Sequence, residues 1–135
     1  MATMIFVNLP VKDLKKTMTF FSKMGFKYNR QFTNKSAACM VISKEIFVML
    51  LVKKFFKGFT KKQIVDSKKA TEAIISLSAE SRKKVDEMLG KAVKAGATEV
   101  MTQDHGWMYS CSFQDLDHHN WEIFWMDKSR VKSGG

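Results

Sequence analysis

Hydrophobic and polar positions along this chain run through one order twice. Apolar residues are nearly unbroken from Met4 to Val11 (MIFVNLPV), the pattern of a strand covered on both faces. Asp13 then offers a side-chain cap, and Leu14, Met18, Phe21 and Met24 recur at helical spacing with lysines between them. Gly25 is placed to stop that helix in the left-handed region. Three strand-like runs follow: FKYNRQF, SAACMVIS and EIFVMLLV. The order returns as EAIISLSA, a helix opening at Glu80 or Ser81 with Val85, Met88, Leu89 and Ala92 as its stripe, Gly96, then ATEVMTQ, WMYSCSF and NWEIFWM. The offset is 67 from Asp13 to Glu80, 71 from Gly25 to Gly96 and 72 from Cys39 to Cys111, a drift that a longer second helix explains.

The repeat predicts an α+β fold: two tandem βαβββ modules, residues 4–52 and 72–127, forming a curled mixed sheet around a central cleft within one domain, 1–127. Pro10 lies near the end of the first strand, where a missing donor is tolerable at a sheet edge. Residues 53–71 form a linker carrying Phe55, Phe56 and Phe59 among seven lysines, with a short helix expected around Lys61–Lys68. It reads either as a crossover tied down by its own aromatics or as a lid over a pocket mouth. Residues 128–135 read as a flexible basic tail.

Composition narrows the class. With 135 residues and 45% hydrophobic content the chain can build a real core. Cys39 and Cys111 lie mid-strand in corresponding places and read as reduced, buried packing residues, which fits a cytoplasmic protein. No apolar run approaches the roughly 18 residues of a membrane helix, and no secretory leader opens the chain, so no membrane partner is expected. The net charge of +10 raises a nucleic-acid partner, but the lysines are scattered and arginines few, so a solvated exterior is the preferred reading.

With the repeat, the opening FVNLPVKDL and the closing DLDHHNWEIFWMD, the chain resembles the vicinal oxygen chelate superfamily of glyoxalases, bleomycin resistance proteins and extradiol dioxygenases. More narrowly it is similar to bacterial proteins described as predicted lactoylglutathione lyases, through Gln103–Ser110 (QDHGWMYS) and the FxDxDxxxWE pattern from Phe113 to Glu122. The resemblance implies a glyoxalase-like fold and, in the enzymes, four side chains from four strands holding a divalent metal. Those positions fall on Phe6, Met49, Ala73 and Glu122. Only Glu122 is a competent ligand for a hard cation. Asn8 shares a strand face with Phe6, and Glu72 lies beside Ala73. His118 stands where relatives usually carry glycine, and it and His119 read as exposed turn residues.

Three functions follow. The preferred one is a metal-free small-molecule binding protein with no cofactor expected. Its aromatic-lined cleft would use Phe6, Asn8, Met49, Phe56, Ala73, His105, Trp107, Tyr109, Glu122 and Phe124, with Glu122 as polar anchor or general base. Glu122 reads equally as a structural carboxylate held by Tyr109 or Asn8. The basic surface would draw an anionic metabolite, and a homodimer is expected. The second function is a metal-dependent lyase or isomerase of lactoylglutathione lyase type, which needs a divalent metal to stabilise an enediolate. The third is charge-driven binding of nucleic acid or another acidic partner.

Overall fold

Asp13 accepts the amide of Lys16 at 3.1 Å and opens α1, Leu14–Lys23, in a computed structural model that describes residues 2–130. The chain divides into two units between Asp66 and Ser67. In the first, strands β1 (Ile5–Val11), β2 (Lys27–Asn29), β3 (Ala37–Ser43) and β4 (Ile46–Val52) form a mixed sheet in the order β1-β4-β3-β2, with β1 parallel to β4. Helix α1 buries Leu14, Thr17, Phe20 and Phe21 against it, where Met40, Val48 and Leu50 are also buried. Each such large apolar side chain contributes roughly 2 kcal/mol.

Strand β1 is an edge strand, and Pro10 occupies it as its missing donor allows. The expectation that β1 is covered on both faces holds only toward its end: Ile5 and Phe6 are exposed, whereas Val11 is buried.

A 14-residue helix, Arg82–Ala95, anchors the second unit; Ser81 rather than Glu80 caps it, accepting from Lys84 N at 3.1 Å. Helix α2 precedes it in chain order, at Lys53–Phe56, so this one is α3. It ends on Gly96 at φ 117°, where an added Cβ would be strained and would meet Leu116 at 3.1 Å. Strands β5 (Ile74–Ser78), β6 (Thr98–Asp104), β7 (Met108–Gln114) and β8 (Asn120–Met126) repeat the first topology as β5-β8-β7-β6. Trp121, Ile123, Phe113, Cys111 and Val85 make the buried centre of this unit. The fold is thus α+β with two tandem modules, each carrying its own open four-stranded mixed sheet.

The linker differs from expectation. Its helical turns are α2 and a 3-10 turn over Lys57–Phe59, while Lys61–Lys68 is not helical. The run KKFFK holds no β-branched residue, whereas Ile64, Val65, Asp66 and Ser67 are poor helix formers. The tail expected from Lys128 begins as a 3-10 turn, Lys128–Arg130, whose Ser129 hydroxyl donates to Asp127 at 2.7 Å. Its remainder, 131–135, lies outside the described residues.

Candidate ligand-binding site

Strand register decides which side chains can act together. In the first unit Asn8 pairs with Met49, and Met49 with Cys39, so these three point to the face turned away from α1. Phe6 and Phe47 share that face, their rings stacked at 4.7 Å. The corresponding row of the second unit is Ser76, Glu122 and Ser112, on the face turned away from α3. The Ser76 hydroxyl donates to Glu122 Oε1 at 2.9 Å, and Ser112 donates to the Met101 carbonyl at 3.3 Å. Phe124 and Met126 follow Glu122 on the same face.

Two expectations change with this register. The position matching Asn8 is Ser76, an offset of 68 rather than 67, because Ser81 and not Glu80 is the cap. Ala73 therefore lies before β5, its carbonyl accepting from Thr71 at 3.2 Å and from Asn120 at 3.4 Å. Likewise the residue matching Cys39 is Ser112, and Cys111 turns to the α3 side against Ile123. Both thiols are free and buried, as expected, and burial pushes the Cys39 thiol up.

The remaining candidates do not all converge. Tyr109 occupies the α3 side of its sheet and donates to Asp86 of that helix at 2.6 Å, which holds its hydroxyl far above the usual phenol range. It therefore does not hold Glu122, while in the first unit the Asn8 amide turns to the Phe6 carbonyl at 3.4 Å. Phe56 is half-buried in α2. His105 and Trp107 ride the β6–β7 hairpin, both exposed, with Arg130 6.0 Å from the Trp107 ring. His118 is on the β7–β8 turn at φ 64°, its Nδ1 3.2 Å from Gln114 Oε1.

One assembly has no counterpart in the sequence reading. Arg82, the first residue of α3, binds both carboxylate oxygens of Asp104 at 2.8 Å and the Gly106 carbonyl at 2.7 Å. Its guanidinium lies over the rings of Tyr109 (5.1 Å) and Trp125 (5.3 Å). The bonds from Arg82 and from the Gly106 amide hold the Asp104 carboxyl down at about 2. This brace fixes the hairpin that carries His105 and Trp107. No short motif announces it, since Arg82 and Asp104 are 22 residues apart.

Does this donor set fit a divalent metal? In register, the row of the first unit offers Asn8 and Met49, an amide and a thioether, and the row of the second offers Ser76 and Glu122, a hydroxyl and one carboxylate. Taken by itself, neither row has the charge of a tight hard-metal site. Among the described residues no three His, Cys, Asp or Glu side chains gather.

Comparisons with known proteins agree with this fold. Residues 3–43 match the family model for a bleomycin resistance protein-like N-terminal segment. A hypothetical protein from S. aureus is 27% identical over 92% of this chain and 94% of its own, with a TM-score of 0.78. A glyoxalase/bleomycin resistance protein/dioxygenase family enzyme from Burkholderia phytofirmans PsJN is 14% identical over 93% of this chain and 99% of its own, at 0.76. The fosfomycin resistance protein FosX from Listeria monocytogenes is 19% identical over 97% and 99%, at 0.70. No curated protein matches the chain.

Proposed function

We propose that this chain, which opens like the bleomycin resistance proteins and has the fold of the glyoxalase/bleomycin resistance/dioxygenase group, is a small-molecule binding protein that works without a metal. The observation that carries the reading is the row Ser76, Glu122 and Ser112 of the second unit, in which a single side chain is charged. Glu122 is the polar anchor. Its one described partner is the Ser76 hydroxyl, and it makes no ion pair among the described residues, so it can accept a hydroxyl, amide or ammonium proton from a ligand. Phe124 and Met126 supply apolar contact beside it. The charge of +10 favours ligands bearing a negative group elsewhere. The protein is proposed to act as a cytoplasmic homodimer.

Metal analysis of protein purified without added metal, joined to a thermal-shift screen, tests this. Absence of stoichiometric metal, with stabilisation by an organic anion that Glu122→Gln weakens, is the expected result. Tight stoichiometric zinc, nickel, manganese or iron would instead favour a metal-dependent lyase or isomerase, the second reading.

A further inference from the structure

The segment after β4 presents a surface that ligand binding leaves unused. From Lys53 to Val65 it contains Lys53, Lys54, Lys57, Lys61 and Lys62 and not one carboxylate. All five lysines are exposed, and none forms an ion pair among the described residues. Phe56 and Lys57 keep right-handed helical angles, so the turn of α2 runs on into the 3-10 turn. Phe55 and Phe59 thus fall on one side, four residues apart, with their rings packed edge-on at 5.2 Å. Yet Phe59 is 70% exposed and Phe55 41%, a pair of rings left in water between cationic side chains. Val11 pairs with Val52, so β1 delivers Lys12 to the end of the sheet where β4 delivers Lys53.

From this juxtaposition we propose that residues 53–62 dock the protein reversibly on an anionic phospholipid surface, Phe55 and Phe59 entering the headgroup boundary and the lysines meeting lipid phosphates and carboxylates. Two weak signals together, apolar insertion and a polybasic patch, are what stable peripheral binding requires. No spanning helix is needed, and no described helix is long and apolar enough to be one. Lysine without arginine favours this partner over nucleic acid. An ammonium is a point charge suited to a diffuse negative surface, whereas arginine supplies the planar fork that reads phosphates and bases.

Sedimentation of the full chain with vesicles tests the proposal. Vesicles of phosphatidylcholine alone are compared with vesicles holding about a third phosphatidylserine, at roughly 0.1 M salt. Binding at least about tenfold stronger to the serine lipid is expected. The triple variant Lys53→Gln, Lys54→Gln, Lys57→Gln should lose about a hundredfold. Phe59→Asp should lose about tenfold or more with its melting temperature unchanged, since the ring is exposed in the native chain. Equal binding to both vesicles, no effect of Phe59→Asp, or displacement of the protein from vesicles by single-stranded DNA at lower concentration would each overturn it.

Discussion

Ser76 donates to Glu122 across the parallel pair β5–β8 at the position where Asn8 faces Met49 in the other module. The two copies thus keep the same row with different chemistry, and only one row carries charge. Gln at 122 would still accept from Ser76 through its amide oxygen, so Glu122→Gln should change stability by less than about 1 kcal/mol. Ligand affinity should fall about tenfold or more, because the charge-assisted bond is lost. Urea melts paired with calorimetric titration separate these outcomes. A large stability loss with intact binding would make Glu122 a structural residue.

Arg82 and Asp104 predict a pH effect. The Asp104 carboxyl is held at about 2 against an ordinary 3.8, chiefly by its bonds from Arg82. A depressed carboxyl contributes stability that is complete above the ordinary value and lost as pH falls toward 2. Hydrogen exchange at residues 104–107 should therefore accelerate as pH is lowered from about 4 to about 2, after correction for intrinsic rates. Arg82→Ala should give that faster exchange already at neutral pH. Unchanged protection in the variant would show that the rings and backbone hold the hairpin without the arginine.

The repeat, the capped helices and the succession of elements along the chain were legible because they rest on local patterns: Asp13 before an apolar stripe, Gly25 and Gly96 after one. What failed was register. Aligning the two copies on Glu80, when Ser81 is the cap, shifted the second module by one residue, and one residue in a strand exchanges its faces. Hence Ala73 stood in for Ile74, the residue that matches Phe6, and Cys111 was matched to Cys39 although Ser112 is its counterpart. The alternation of β7 sets Tyr109 on the side of Cys111 and Phe113, but its partner Asp86 lies 23 residues away on the helix and no local pattern announces that bond. The Arg82 brace was hidden for another reason: it joins a helix start to a hairpin through tertiary contact alone.

Trp121 should matter more than its size suggests. Its indole N–H donates to Asp115 Oδ2 at 2.9 Å, inside the second unit. Asp115 is 2% exposed, and burial pushes its carboxyl up despite the opposing pull of His119, Trp121 and two backbone amides. Trp121→Phe removes one of those compensating donors as well as packing. A loss of roughly 2–4 kcal/mol is expected in urea melts. A carboxyl raised in the folded state makes folding less favourable as pH climbs through its titration, and removing the indole raises it further. The deficit should therefore be larger at neutral pH than at about pH 4, where the unfolded carboxyl also begins to protonate. A pH-independent deficit would mean that packing alone is lost.

His118 tests the turn that Asp115 organises. Asp115 Oδ1 accepts from the amides of Asp117 (2.9 Å) and His119 (3.0 Å), which forces the chain between them through φ 64° at His118. Only glycine takes that region without steric cost, and an ordinary residue there costs roughly 1 kcal/mol or more. The imidazole regains part of this through Gln114, 3.2 Å away. His118→Gly removes both the strain and that contact and adds freedom to the unfolded chain, so a net gain of about 0.5 kcal/mol is expected. His118→Val, with branching at Cβ, should instead cost about 1–2 kcal/mol. The order Gly above His above Val in thermal melts is the signature of backbone strain. If Gly were clearly less stable than His, the Gln114 contact would outweigh the strain, and the turn would owe its stability to the imidazole rather than to Asp115.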